Sequence, residues 1–323
     1  MRDARYATLD AMRGIAAIAV MMWHTPAGAR LVPSGHLAVD FFFALSGFVI
    51  AMAYQDRMRA GLSPSVFLRL RIARLWPMLA LAALPSILAG GWAGSLVLIP
   101  DIRSTSLFPL LPTYWSLLFE MAAYVAFALG LYRLSTRILC LLLLGSGVVY
   151  VGTALSSDIL MHEYGAFWFS IPHGLVRLAF PFLFGMILFR VTRGEAAVRT
   201  TPLAWLAPLA MLALMVFVPG DDNRLAILAI LLGMPAIVWL AVRWDLSHHR
   251  IAGWLSDLSY PLYCIHVTGL LVLERYDVPA PFAWLGLAAL ALYLDRIWDR
   301  PMRAWLRGVL TSDRLQHITV RPS

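Results

Sequence analysis

Lysine is missing from this chain; all 26 of its basic residues are arginine. Charge of any kind is scarce, at 14% of residues, where a soluble domain carries about 25%. Cysteine is limited to Cys140 and Cys264, both inside apolar blocks, so no disulfide framework is expected and each reads as a small packing residue. There is no Walker loop, H-E-x-x-H, C-x-x-C or G-x-S-x-G, which removes the common nucleotide, zinc and serine-hydrolase signatures. Gly145-Ser146-Gly147 suits helix packing better than a phosphate loop. His248 and His249 are adjacent in a loop and do not converge on one ion, so no metal is expected.

What fills the chain is apolar. Hydrophobic residues make up 61% of it and mean hydropathy is +0.75. The excess lies in blocks near the length of a bilayer crossing, about 20 residues each. Ten are expected to span, at 9–28, 37–54, 75–98, 114–132, 138–155, 173–191, 202–218, 225–242, 258–274 and 281–298. They are too long and too evenly apolar for barrel strands, so the fold class is all-α: a polytopic transmembrane helix bundle. Arginine placement sets the orientation. With the N-terminus inside, 21 arginines fall on the inner side and four on the outer, Arg30, Arg103, Arg224 and Arg275. Both termini are therefore expected to be cytoplasmic, with residues 304–323 as a cytoplasmic tail. The basic pI belongs to this topology, and nucleic acid is not an expected partner. The outer stretch 156–172 is rich in aromatics and reads as an interfacial helix able to roof a cavity.

Ionisable side chains inside a crossing are costly and mark sites or pathways. Five stand out: His24, Asp40, Glu120, Arg177 and His266. Counting the rise of about 1.5 Å per residue, the first four fall at similar depth in the outer half, on four helices, and His266 lies nearer the midplane. Each alone can be a packing or interfacial residue; together they suggest a shared polar cavity. At the inner surface Arg71 and Arg74 stand at i and i+3, on one helix face, where paired guanidiniums bind phosphates. Arginines ahead of a span also follow from topology alone. Two function classes fit these features, a membrane enzyme with a buried site and a solute transporter with a charged pathway. No two-half repeat favours the transporter.

Several stretches, taken in order, resemble the membrane-bound acyltransferase-3 family of bacterial O-acyltransferases. "LDAMRGIAAIAVMMWH" resembles its first-span signature and carries over Arg13 and His24. "AVDFFFALSGFVI" carries over Asp40 and Ser46, "RLRIARLWP" carries over Arg71, Arg74 and Pro77, and "YWSLLFEMAAY" carries over Trp115, Ser116, Glu120 and Tyr124. "RLAFPFLFGMIL", "LSYPLYCIH" and "DRIWDRPMR" are similar to the later motifs and bring in Arg177, Tyr263 and His266. The matches cover about residues 9–303, as one domain over 1–323. Met121 stands where many members have a second glutamate, a form similar to the branch that acylates exopolysaccharides. Residues 1–29 mimic a signal peptide, but the family keeps its first span, so His24 is expected to be retained.

The resemblance implies acyl-CoA, usually acetyl-CoA, as co-substrate with no permanently bound cofactor. It implies a glycan or lipid-linked saccharide as acceptor, in a bacterial inner membrane. The chain is not expected to carry the fused extracytoplasmic esterase-like domain of some members, and a separate extracytoplasmic partner is then possible. Arg13, Arg71 and Arg74 are the expected CoA-phosphate residues. His24 is the expected general base, oriented by Asp40 or Glu120, with Arg177 or Tyr263 stabilising the oxyanion and Trp115, Ser116 and His266 near substrate. An acyl-enzyme on His24 or Ser116 is the competing route. The outer-loop residues His162, Glu163, Asp221 and Asp222 are too scattered in sequence to specify an acceptor.

Overall fold

Most apolar blocks become one helical run in the computed structural model, which describes residues 6–193, 199–246 and 249–311, but the first, expected at 9–28, breaks after Trp23 into two helices. Arg2, Arg5 and the tail from residue 312, part of the topology reading, and His248, part of the metal reading, lie outside the described residues. The helices are α1 Ala7–Trp23, α2 Pro26–Leu31, α3 Ala38–Arg59, α4 Pro64–Leu88, α5 Tyr114–Leu129, α6 Thr136–Ser156, α7 Ile171–Thr192 and α8 Leu206–Phe217. α9 Asn223–Leu228 runs through a π-turn into α10 Met234–Arg243; α11 is His249–Glu274, and α12 Ala280–Leu294 runs through a second π-turn into α13 Arg300–Thr311. Two-residue strands at Arg199–Thr200 and Trp244–Asp245 pair in parallel beside the start of α1.

Five runs are long and apolar enough to cross a membrane: Gly35–Arg59, Thr136–Ser156, Trp168–Thr192, Asn223–Arg243 and Ala280–Leu310. Tyr114–Leu129 and Pro202–Phe217 are shorter apolar helices. The remaining long helices, α1, α4 and α11, carry much of the polar interior. On α6, Leu141, Leu144, Val148 and Val149 face outward, as do Leu285, Leu290 and Tyr293 on α12. Apolar faces of that extent suit lipid, not water. The protein is an all-α membrane helix bundle.

Two close helix pairs position the interior. α3 meets α7 where a Cβ on Gly47 would stand 2.0 Å from the Phe182 carbonyl oxygen and one on Gly185 2.0 Å from that of Ala44. Glycine alone permits this approach, the usual device for packing helices in lipid. α1 meets α11 similarly, with a Cβ on Gly14 falling 2.5 Å from the Leu255 side chain. Each pair carries a polar contact toward its outer end, described below.

Two further expected segments differ. The third block was expected at 75–98, but α4 runs from Pro64 to Leu88, because the arginine-bearing stretch before residue 75 is already part of the helix. Proline at its first turn starts it, and Gly90 at φ 86 follows its end. The outer stretch 156–172 forms two short turns, Met161–Glu163 and Trp168–Ser170, and not one interfacial helix. Ser170 Oγ ties them, accepting from the amides of Gly165 and Phe167, both at 3.1 Å. Local side-chain bonds of this kind compete with helix. Tyr164 is buried while Phe169 is exposed, so the segment is a folded cover with one apolar face.

Candidate functional site

Two chambers lie end to end inside the bundle. The inner one, of ≈ 260 Å³, is lined by Arg13 of α1, Ser46 of α3, Arg71 and Arg74 of α4, Ser116, Glu120 and Tyr124 of α5, Tyr260 and Tyr263 of α11, and Arg307 of α13. The outer one, of ≈ 270 Å³, is lined by Trp23, His24, His36, Thr113, Trp115, His162, Glu163, Arg177 and Tyr263. Tyr263 and Val39 face both.

The inner chamber is cationic. Four guanidiniums line it against the single carboxylate of Glu120. The i, i+3 spacing does bring Arg71 and Arg74 to one wall. Arg71 lies over the rings of Tyr54 and Tyr124, at 5.2 and 5.5 Å, and its buried Nε has no hydrogen-bond partner among the described residues. Arg74 lies 5.0 Å over Tyr260 and 4.0 Å from Asp299. Aromatic faces hold a guanidinium in place while leaving its donors unspent. Glu120 accepts from the Tyr124 hydroxyl and from Ser46 Oγ at 2.9 Å. Arg307 was counted in the sequence only as a tail charge. Its clue was the spacing of Arg300, Arg303 and Arg307, which share one face of α13. That helix is tied beneath the chamber by Arg303 to Asp299 at 3.0 Å and Arg300 to Asp295 at 2.5 Å.

The outer chamber holds its charges differently. Asp40 and Arg177 form a buried forked pair, Nε to Oδ1 at 3.1 Å and Nη2 to Oδ2 at 2.7 Å. Arg177 also donates to the carbonyl oxygens of Met161 at 2.8 Å and His36 at 2.9 Å, pinning the outer cover to α7. A buried charge tolerates this position only when paired and fully bonded. These partners take most of Arg177's donors.

His24 ends α1, where Thr25 and Pro26 start α2. Its Nδ1 lies 2.7 Å from the Val20 carbonyl oxygen and 3.3 Å from Nε2 of the fully buried His266. His266 Nδ1 lies 3.0 Å from the Leu262 carbonyl oxygen. A carbonyl only accepts, so both rings carry their proton on Nδ1. His24 Nδ1–H is then shared between Val20 and His266, and its Nε2 keeps the lone pair, with no partner among the described residues. Neither Asp40 nor Glu120 bonds His24. The orienting contact expected from a carboxylate comes from the α1–α11 pair, through His266. At the junction, Ser116 Oγ and the Tyr263 hydroxyl are 2.6 Å apart. Trp115 lies against Arg177, with the guanidinium 5.4 Å from its ring.

His24, Trp115, Arg177 and Tyr263 thus share the outer chamber, with Asp40 bonded to Arg177 and His266 bonded to His24. Arg13, Arg71, Arg74, Ser116 and Glu120 share the inner one. His36 gave no signal in the sequence, because a histidine in a short outer loop looks solvated until the fold buries it.

A stretch of 80 residues is 45% identical to a protein named "Protein 2 in picA locus" from Rhizobium radiobacter, over 24% of this chain and 42% of that protein. The match therefore spans less than half of that relative's length. No solved structure matches the chain. The family model described as an acyltransferase domain, Acyl_transf_3, matches residues 6–294, from the start of α1 to the end of α12, a stretch that takes in all of both chambers' lining but Arg307; the chain belongs to that acyltransferase family.

Proposed function

We propose that this membrane acyltransferase moves an acyl group, acetyl in the first instance, from acyl-CoA to a hydroxyl of a surface glycan or its lipid-linked precursor. The donor enters from the arginine-lined side, cytoplasmic in a bacterial inner membrane, and the acceptor from the histidine-lined side. One observation carries the reading: a cationic chamber and an imidazole-bearing chamber meet at Tyr263 and Val39. Arg13, Arg71, Arg74 and Arg307 suit the CoA phosphates, since their guanidiniums bind oxyanions bidentately. From Arg13 to His24 is eleven residues of helix, about 16 Å along the axis, a span roughly matched by a pantetheine arm.

At the junction His24 Nε2 takes the proton of the acceptor hydroxyl as its oxygen attacks the thioester carbonyl carbon. The carbonyl oxygen gains charge beside the Tyr263 hydroxyl, which Ser116 holds. The carbon–sulfur bond then breaks, the thiolate takes the proton from His24 Nε2, and an ester and free CoA thiol remain. His266 acts as a positioning residue, keeping the His24 proton on Nδ1. Asp40 holds Arg177 and the cover in place, a structural task instead of the expected catalytic one. Glu120 balances charge in the donor chamber.

Thiol release from acetyl-CoA by protein in lipid nanodiscs, with and without bacterial glycan extract, tests this. Glycan-dependent release that disappears in a folded His24→Ala variant is expected. Equal release by both proteins would remove His24 from the chemistry.

A further inference from the structure

The outer chamber contains more unspent polar chemistry than the acyl transfer uses. His36 is only 3% exposed, and neither of its ring nitrogens has a hydrogen-bond partner. His162 Nδ1 is likewise buried and unpartnered. Both rings line the chamber and stand 5.8 Å apart. A neutral imidazole offers one donor and one acceptor, and buried polar groups in folded proteins are normally bonded, so a group left open asks for a partner. Among the described residues no three His, Cys, Asp or Glu side chains are arranged to hold a metal ion, which leaves these nitrogens to something that hydrogen-bonds.

The apolar part of the wall is aromatic. Trp23 packs against three imidazoles at once, His24 at 4.9 Å, His36 at 5.6 Å and His162 at 5.5 Å between ring centres. Its indole is fixed by an Nε1–H bond to the Pro33 carbonyl oxygen at 3.0 Å. Aromatic surface beside open donor–acceptor groups suits a molecule with an apolar ring face and a rim of hydroxyls. Charge narrows the choice. Arg177 is neutralised by Asp40, whereas Glu163, which lines the chamber, has no ion pair among the described residues. An anionic ligand would meet repulsion there.

We infer that the outer chamber is a binding subsite for an uncharged sugar ring, in which His36 and His162 hydrogen-bond adjacent hydroxyls, Trp23 packs the ring, and Glu163 turns away uronic acids. The inference rests on the acceptor side proposed above and names its chemical class. Trp23 packs against both this pair and His24, so the subsite and the proposed base share one wall of the chamber.

Intrinsic tryptophan fluorescence of the protein in nanodiscs, titrated with methyl α-glucoside, methyl α-galactoside and methyl α-glucuronide, tests the subsite without turnover. Saturable binding of a neutral glycoside is expected, about tenfold tighter than of the glucuronide. His36→Phe, which keeps the ring and removes both nitrogens, is expected to weaken neutral binding about tenfold. His36→Gln, which restores a donor and an acceptor, is expected to recover part of it. His162→Phe gives an independent reading should His36→Phe fail to fold. The subsite is overturned if no neutral glycoside binds, if the glucuronide binds as well, or if a folded phenylalanine variant binds like wild type, as it would were the nitrogens merely solvated. Acetyl-CoA binding measured on the same samples separates the two ideas. Its loss in the wild type would sink the transferase reading, and glycoside binding would still decide the subsite.

Discussion

The two chambers have nearly equal volume and share Tyr263, yet they handle charge in opposite ways. In the inner chamber two guanidiniums keep donors open: Arg71 and Arg74 lie on tyrosine faces, and Asp299 approaches Arg74 only at 4.0 Å. In the outer chamber the one guanidinium, Arg177, is cancelled by Asp40, and the groups left open are imidazoles. Electrostatic forces act strongly in a membrane interior because little water screens them. A chamber that keeps net positive charge attracts anions. A chamber that cancels its charge suits neutral hydroxyls and proton transfer. Under the proposed function, this contrast separates binding of a polyphosphate donor from handling of a neutral acceptor.

The largest expected effect comes from removing the proposed base. His24→Ala should lower kcat by about 100- to 10,000-fold, the usual worth of a positioned acid–base group, while KM for acetyl-CoA stays near the wild-type value in steady-state kinetics. An equal rise in KM would blur the two chambers into one site.

Arg177→Met should rank next, acting on stability instead of chemistry. It strands Asp40 without its partner, and breaking a buried pair costs about 3–5 kcal/mol. Thermal denaturation in detergent should show the loss, and the double variant Asp40→Asn, Arg177→Met should recover part of it. Additive losses would mean that the pair does not hold the outer chamber.

Arg71→Ala with Arg74→Ala should raise KM for acetyl-CoA about 10- to 100-fold, as expected from losing one or two charged hydrogen bonds, and leave the KM of the acceptor unchanged. At the small end, Arg193→Ala removes an exposed pair with Asp56, at 2.9 Å. It touches neither chamber, so it should change the melting transition by less than about 1 kcal/mol and leave the kinetics alone.

The apolar blocks were legible because a lipid-spanning helix must be apolar along its length, and most blocks correspond to one helical run, the exceptions being 9–28 and 75–98. The start of α4 was not, because its arginine-bearing turns precede the apolar block in the same helix, where hydropathy alone begins too late. Arg71 and Arg74 were readable through their i, i+3 spacing. The partner of His24 was not. Similar depth brought Asp40 and Glu120 forward, but depth says nothing of azimuth, and only the α1–α11 contact at Gly14 and the α3–α7 contact at Gly47 and Gly185 show which helices face each other. His36 and Arg307 were missed for a related reason. Each lies in a stretch that reads as solvated, and only tertiary packing turns it into a chamber wall.

The division between the chambers is tested most directly by sidedness. In sealed proteoliposomes of known protein orientation, acetyl-CoA and a glycan acceptor are supplied to the same face or to opposite faces, and acylated acceptor is measured. Product is expected only with donor at the arginine-lined face and acceptor at the histidine-lined face. Equal product with both substrates confined to one face would contradict a two-sided site.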